Sequence, residues 1–200
     1  MIGAMVLAAG RSARMGTQKL LLPLAGKPAI THVVDEMLRG PLQPVIVVVR
    51  RADARIAQAL LGRAVAFVHN PDAEGDMLSS VRCGLRALPA ACEAILVALG
   101  DQPGISHKVV AQLTDAFRQS GRAIIVPTYR GKRGHPLLFA TCYRDEVLTR
   151  YDGVGLRGLL DAHPDEVLEV EVPVARVLED LDTPEDYQRY LESTATGGFP

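Results

Sequence analysis

The sequence predicts an α/β fold, a mostly parallel central sheet with helices on both faces. Two patterns carry that prediction. Apolar runs of strand length alternate along the chain with segments whose apolar residues recur every three or four positions. Several of the runs are apolar on every residue and rich in Val and Ile, as befits strands buried on both faces. A repeated strand–helix order with such strands folds into a parallel sheet through right-handed crossovers.

The elements follow in order. Met5–Ala9 reads as the first strand. Pro28–Leu38 reads as a helix, with Ile30, Val33, Val34, Met37 and Leu38 on one face and Gly40-Pro41 ending it. Val45–Val49 is a fully buried strand. Asp53 is placed to cap a helix through Leu61, stopped by Gly62. Val65–Val68 is the third strand, and Asp76–Leu88 a helix with Leu78, Val81, Leu85 and Leu88 inward. Ala94–Leu99 is the fourth strand, Ser106 the expected cap of a helix through Phe117, and Ala123–Val126 the next strand. Beyond it the pattern weakens. The basic loop Thr128–Gly134 and the apolar Pro136–Ala140 suggest a hairpin or an excursion from the main sheet. Gly153–Asp161 reads as a loop entering a short helix, Val167–Val172 as a late strand, and Pro184–Leu191 as a last helix capped by Thr183 or Asp182. One domain over residues 1–192 is expected, followed by a small, polar, disordered tail over 193–200.

Composition narrows the function. The chain has 200 residues, 48% hydrophobic, enough for a large core. A formal net charge of −1 and 4% aromatic residues argue against a nucleic-acid partner. No apolar run approaches the roughly 20 residues that span a bilayer, so no membrane partner is expected. Cys83, Cys92 and Cys142 form no metal pattern; reduced thiols and a cytoplasmic location are expected.

Ligands of open parallel sheets bind beyond the carboxyl ends of the strands. Two segments fall there. After the first strand comes Gly10-Arg11-Ser12-Ala13-Arg14-Met15-Gly16-Thr17-Gln18-Lys19, a dense run of glycines and cations suited to a triphosphate. It is neither a P-loop, since Leu20 follows Lys19, nor a dinucleotide fingerprint. After the fourth strand comes Gly100-Asp101-Gln102-Pro103. A carboxylate at that edge can serve Mg²⁺, which favours one or two carboxylates plus phosphate oxygens and water, or can merely shape a turn. Asp182, in Glu179-Asp180-Leu181-Asp182-Thr183-Pro184, can cap a helix and also reach a metal. His135 and Arg133 lie in the basic loop, where an anionic second substrate or plain solvent would suit them equally. Ser79, Ser80 and Arg82 stand near a helix start, a place for contacts to base, sugar or phosphate. With no nucleophile and base in a supporting context, the constellation suits direct phosphoryl-group transfer.

The segments LAAGRSARMGTQK, GDMLSSVRCGL, GDQPG, RGHPLLF and DLDTPEDY, in that order, resemble the nucleotidyltransferases of the molybdenum-cofactor type, within the wider sugar-nucleotide and methylerythritol cytidylyltransferase superfamily. The likeness covers nearly the whole chain. It implies a Rossmann-like fold of the nucleotide-diphospho-sugar transferase type and an enzyme that transfers a nucleoside monophosphate from NTP to a phosphorylated, molybdopterin-like acceptor, releasing pyrophosphate. It implies that Lys19 and Arg14 contact phosphates, that Leu7, Ala8, Ala9 and Gly10 line the nucleotide, and that Arg11 and Ser12 lie along the triphosphate. Asp101 would hold Mg²⁺, with Asp182 as second ligand; Asp180 is the alternative. Ala9-Gly10 with Ser79-Ser80-Val81-Arg82 looks like the cytidylyltransferase branch, hence CTP. A guanylyltransferase using GTP, another phosphorylated acceptor, and a nucleotide-binding chaperone serving a molybdoenzyme are the competing readings.

Overall fold

The computed structural model describes residues 1–10, 18–50, 54–72 and 74–197. The expectations placed on Arg11, Ser12, Arg14 and Asp53 lie outside the described residues. The main sheet has the strand order β10-β7-β9-β6-β1-β4-β5, built from β1 (Ile2–Ala8), β4 (Val45–Arg50), β5 (Ala66–Asn70), β6 (Ala94–Leu99), β7 (Ile124–Tyr129), β9 (Leu137–Ala140) and β10 (Val167–Glu171). A small hairpin, β2 (Pro23–Leu24) with β3 (Lys27–Pro28), stands apart. Helices are α1 (Ala29–Arg39), α2 (Ala54–Ala59), α3 (Met77–Ala87), α4 (His107–Ser120), α5 (Arg144–Thr149), α6 (Arg157–Ala162) and α7 (Pro184–Gly197). No helix among the described residues is long and apolar enough to cross a membrane.

β1 pairs in parallel with β4 and β6, β4 with β5, and β7 with β10. The period of two along each strand divides the core. Ala4 and Val6 pack with Ile30, Val33, Val34 and Met37 of α1 on one face, while Met5 packs with Leu78, Val81 and Leu85 of α3 on the other. Each fully buried Val or Leu contributes about 1.5–3 kcal/mol relative to an exposed one. At Gly84 a Cβ would lie 2.9 Å from Met5 Sδ, so glycine lets α3 press close against β1.

The weak patch after Val126 contains both expected features. β7 continues to Tyr129, turns at Arg130 (φ 50) and Gly131 (φ 75), and returns as β8 (Lys132–Arg133). The chain then enters the sheet as β9, antiparallel to both β6 and β7. β9 thus lies reversed between strands that share one direction. Two other boundaries differ from expectation. The last helix runs past Leu191 to Gly197, through residues that carry neither Gly nor Pro before that point. The Ser106 side chain makes no cap bond to α4; Glu36 of α1 accepts the His107 N–H instead, at 2.7 Å.

Candidate active site

The carboxyl ends of β1, β4 and β6 open on a cavity of about 340 Å³. Leu7 lines it from β1, Ala9 and Gly10 from just past the strand, Lys19 from a later turn, and Asp101 from beyond β6. Gly10, Lys19 and Asp101 therefore border one ligand space. Gly100 makes the approach possible: its N–H donates to Leu7 O at 2.9 Å, and a Cβ would meet that oxygen and Ile30 Cδ1 at 2.9 Å each.

Lys19 opens a short 3-10 turn anchored by the buried Leu20. Its Nζ donates to Asp101 Oδ2 at 2.5 Å and to Asp182 Oδ1 at 2.7 Å. Burial opposes the ammonium charge, but Asp101 and Asp182 outweigh it and hold Lys19 above its usual range. Lys19 is therefore a fixed cation at neutral pH.

Asp182 reaches this point because of three local choices. Leu181 is buried, and its N–H donates to Asp101 O at 3.0 Å. Leu24, Ala29 and Tyr190 surround the Leu181 side chain. Thr183, not Asp182, caps α7: Asp186 Oδ2 accepts the Thr183 N–H at 2.8 Å, and Thr183 Oγ1 accepts the Asp186 N–H at 3.2 Å. Asp182 is thereby left to the cavity, and Asp180 lines it from the other side of Leu181. Burial pushes the Asp180 carboxyl up, reinforced by Asp101 and Asp182.

Three carboxylates around one ammonium leave an excess of negative charge on hard oxygen donors, which fits a divalent cation. Among the described residues no three His, Cys, Asp or Glu side chains converge to cage an ion by themselves. Asp101 and Asp182 would thus share the ion with water and triphosphate oxygens.

The remaining candidates divide. Ser80 lines the cavity and accepts from Asn70 Nδ2 at 3.0 Å. Ser79 shapes the start of α3: its N–H donates to Asp76 Oδ1 at 2.8 Å and its hydroxyl to Asp76 O. Ala8 is buried in the core rather than in the cavity wall. Arg82 points away altogether. Its guanidinium donates to Val147 O at 3.0 Å, Arg150 O at 2.7 Å and Asp152 Oδ1 at 2.6 Å, tying α3 to the end of α5. It sits five residues into α3, past the first turn that lines the cavity, and so faces a neighbouring element.

Arg133 and His135 line a second cavity, of about 520 Å³, that shares Asp76 and Met77 with the first. The His135 N–H donates to Val177 O at 2.9 Å, and its buried Nδ1 has no partner among the described residues. Burial lowers its pKa, against a smaller opposing pull from Asp101, so the imidazole is neutral at neutral pH. Sequence reasoning missed Arg50, which lines the first cavity and donates to Ala9 O at 3.1 Å. An arginine closing a buried strand was the available signal.

Comparison with known proteins places the chain in a family. The family model for the MobA-like NTP transferase domain matches residues 4–167. Molybdenum cofactor cytidylyltransferase of Escherichia coli K12 is 25% identical over 197 residues, 96% of this chain and 98% of that protein. Nicotine blue oxidoreductase of Paenarthrobacter nicotinovorans is 32% identical over 203 residues, 95% of this chain and 96% of that one. A solved nucleotidyl transferase from Methanothermobacter superimposes with a TM-score of 0.85 at 27% identity, over 98% of each chain.

Proposed function

Since this chain belongs to the MobA-like NTP transferase family, and is thereby a nucleotidyltransferase, we propose that it transfers CMP from CTP to molybdopterin and releases pyrophosphate. The observation that carries the reading is Lys19 held between Asp101 and Asp182, in the wall of a cavity also lined by Ala9 and Gly10. A cation flanked by carboxylates at the end of a glycine-bearing strand suits a metal-bound triphosphate. The likeness to a cytidylyltransferase along its full length supports CTP.

An acceptor phosphate oxygen attacks the α-phosphorus in line. The new O–P bond forms as the bond from the α-phosphorus to the α,β-bridging oxygen breaks, and pyrophosphate leaves with that electron pair. A phosphate monoester has a second pKa of about 6, so the acceptor is already ionised at neutral pH and no protein base is required. Lys19, on its four-carbon stem, turns from the carboxylates to the phosphates and stabilises charge on the departing pyrophosphate. A divalent ion, Mg²⁺ in this proposal, would be held by Asp101 and Asp182 and would neutralise triphosphate charge. Arg14, by the family likeness, joins Lys19 on the phosphates, with Arg11 and Ser12 alongside. Ser80 and the α3 start would face the nucleoside, and Arg133 and His135 the acceptor.

The test is pyrophosphate release from CTP and from GTP, with and without molybdopterin, in Mg²⁺ and in Mn²⁺. Release that needs both CTP and molybdopterin is expected. Faster turnover of GTP would transfer the reading to the guanylyl branch. No release from either nucleotide, with acceptor present, would overturn it and turn attention to redox chemistry of the kind the oxidoreductase relative is named for.

A further inference from the structure

The Lys19 ammonium stands where a divalent ion would stand. Its Nζ bridges Asp101 Oδ2, at 2.5 Å, and Asp182 Oδ1, at 2.7 Å. An ion on those same two oxygens, at bond lengths of about 2.0–2.6 Å, would lie against the nitrogen, cation beside cation. The contact is also sheltered. The Lys19 side chain is 11% exposed and that of Asp101 17%, so salt screens the pair little. The Asp182 side chain, at 39%, is the more open of the two partners and marks the side from which a ligand arrives.

The ammonium can leave without the backbone moving. The buried Leu20 anchors the short turn that carries Lys19, while the four-carbon stem leaves the ammonium free to swing. Lys19, Asp101, Asp180 and Asp182 line one cavity, so a ligand held there is within reach of the swing. A triphosphate offers the ammonium several oxygens at once and more negative charge than two carboxylates carry. Once the ammonium has turned, three carboxylates face the cavity with their bridging cation gone, and hard oxygen donors in that state suit a divalent ion.

We propose that Lys19 is an internal counter-ion that keeps a free divalent cation off Asp101 and Asp182 until a triphosphate draws the ammonium away. The release rests on the nucleotidyl-transfer reading; the competition between ammonium and ion does not. The consequence is an order of binding. Asp101 and Asp182 take an ion together with the nucleotide or after it, and not before.

Titration of the full chain with Mn²⁺ alone, followed by electron paramagnetic resonance, tests the competition. Lys19→Met is expected to bind Mn²⁺ about 10–10³-fold more tightly than wild type, the range by which one neighbouring cation shifts a carboxylate's affinity for a proton. Lys19→Arg keeps the charge and should bind as weakly as wild type. Lys19→Met combined with Asp101→Asn should lose the gained affinity. Wild type that binds Mn²⁺ as tightly as Lys19→Met overturns the proposal, as does Lys19→Arg that matches Lys19→Met or a gain that survives Asp101→Asn. Two measurements on the wild type stand even if Lys19→Met does not fold. Mn²⁺ alone should leave its Tm unchanged, and CTP should bind it in the presence of EDTA. A Tm raised by Mn²⁺ in wild type but not in Asp101→Asn overturns the proposal, and so does CTP that binds only when Mn²⁺ is added. CTP that fails to bind under either condition overturns the nucleotidyl-transfer reading instead.

Discussion

Lys19 Nζ lies 2.5 Å from Asp101 Oδ2, a contact between residues 82 positions apart that joins the end of β1 to the end of β6. Only a parallel β1–β6 pair brings those two ends to one edge. The contact couples the cation of the site to its carboxylates. Lys19→Ala and Asp101→Ala are each expected to lower the rate of pyrophosphate release by about 10²–10³-fold. Circular dichroism should show both variants folded; near-normal turnover of either would remove that residue from the chemistry.

Ala9 lines the cavity at the ends of β1, β4 and β6, where the nucleotide is proposed to bind, and is 7% exposed. A purine is larger than a pyrimidine, so the Ala9 methyl group should favour CTP. Ala9→Gly is expected to raise GTP turnover relative to CTP by about tenfold, the factor that goes with 1.4 kcal/mol. An unchanged CTP-to-GTP ratio would show that the base is selected elsewhere.

Arg82 spends its guanidinium on Val147 O, Arg150 O and Asp152. Arg82→Ala should lower Tm by about 2–4 °C, the effect of roughly 1 kcal/mol in a chain of this size. CTP affinity should be unchanged. A loss of CTP binding without loss of Tm would return Arg82 to the nucleotide.

Glu36 is buried, and its carboxylate accepts from the His107 N–H at 2.7 Å and from Arg39 at 2.6 Å, with the His107 ring at 2.8 Å. Burial pushes its pKa up, but the His107 backbone and ring and the Arg39 guanidinium pull it below the usual carboxylate range. Its stabilising contribution is therefore complete above the unfolded value, about 4.3, and is lost as pH falls through the lower folded value. Glu36→Gln should cost about 1.5–3 kcal/mol at pH 7. Denaturant titrations should show the gap to wild type closing below pH 4; a gap that persists there would mean the cap does not depend on charge.

Gly134 lies against the backbone, where a Cβ would stand 2.1 Å from Val177 O. Gly134→Ala should cost about 1–3 kcal/mol by forcing that backbone apart, read as a drop in the denaturant midpoint. Since His135 N–H donates to the same Val177 O, the shift should also weaken binding in the second cavity. A variant as stable as wild type would show that the 175–178 turn yields freely.

The local code was legible in the sequence. Continuous apolar runs marked β4 and β6, and the three-four spacing of Ile30, Val33, Val34 and Met37 marked α1, because period and burial are properties of neighbouring residues. The carboxyl-edge rule brought the Gly10 turn and Asp101 together before any coordinates. What sequence could not decide was long-range. β9 reversed between two parallel strands, Glu36 rather than Ser106 capping α4, and Arg82 turned to α5 all depend on groups 40 or more residues away or on a neighbour in the sheet. The pairing of Asp182 with Lys19 is of the same kind. Thr183 capping α7 and Leu181 buried beside Asp101 put Asp182 in the cavity, and packing settled both. Sequence determined which residue types stand at the sheet edge; tertiary structure decided which of them face one another, since direction is set by what each side chain packs against.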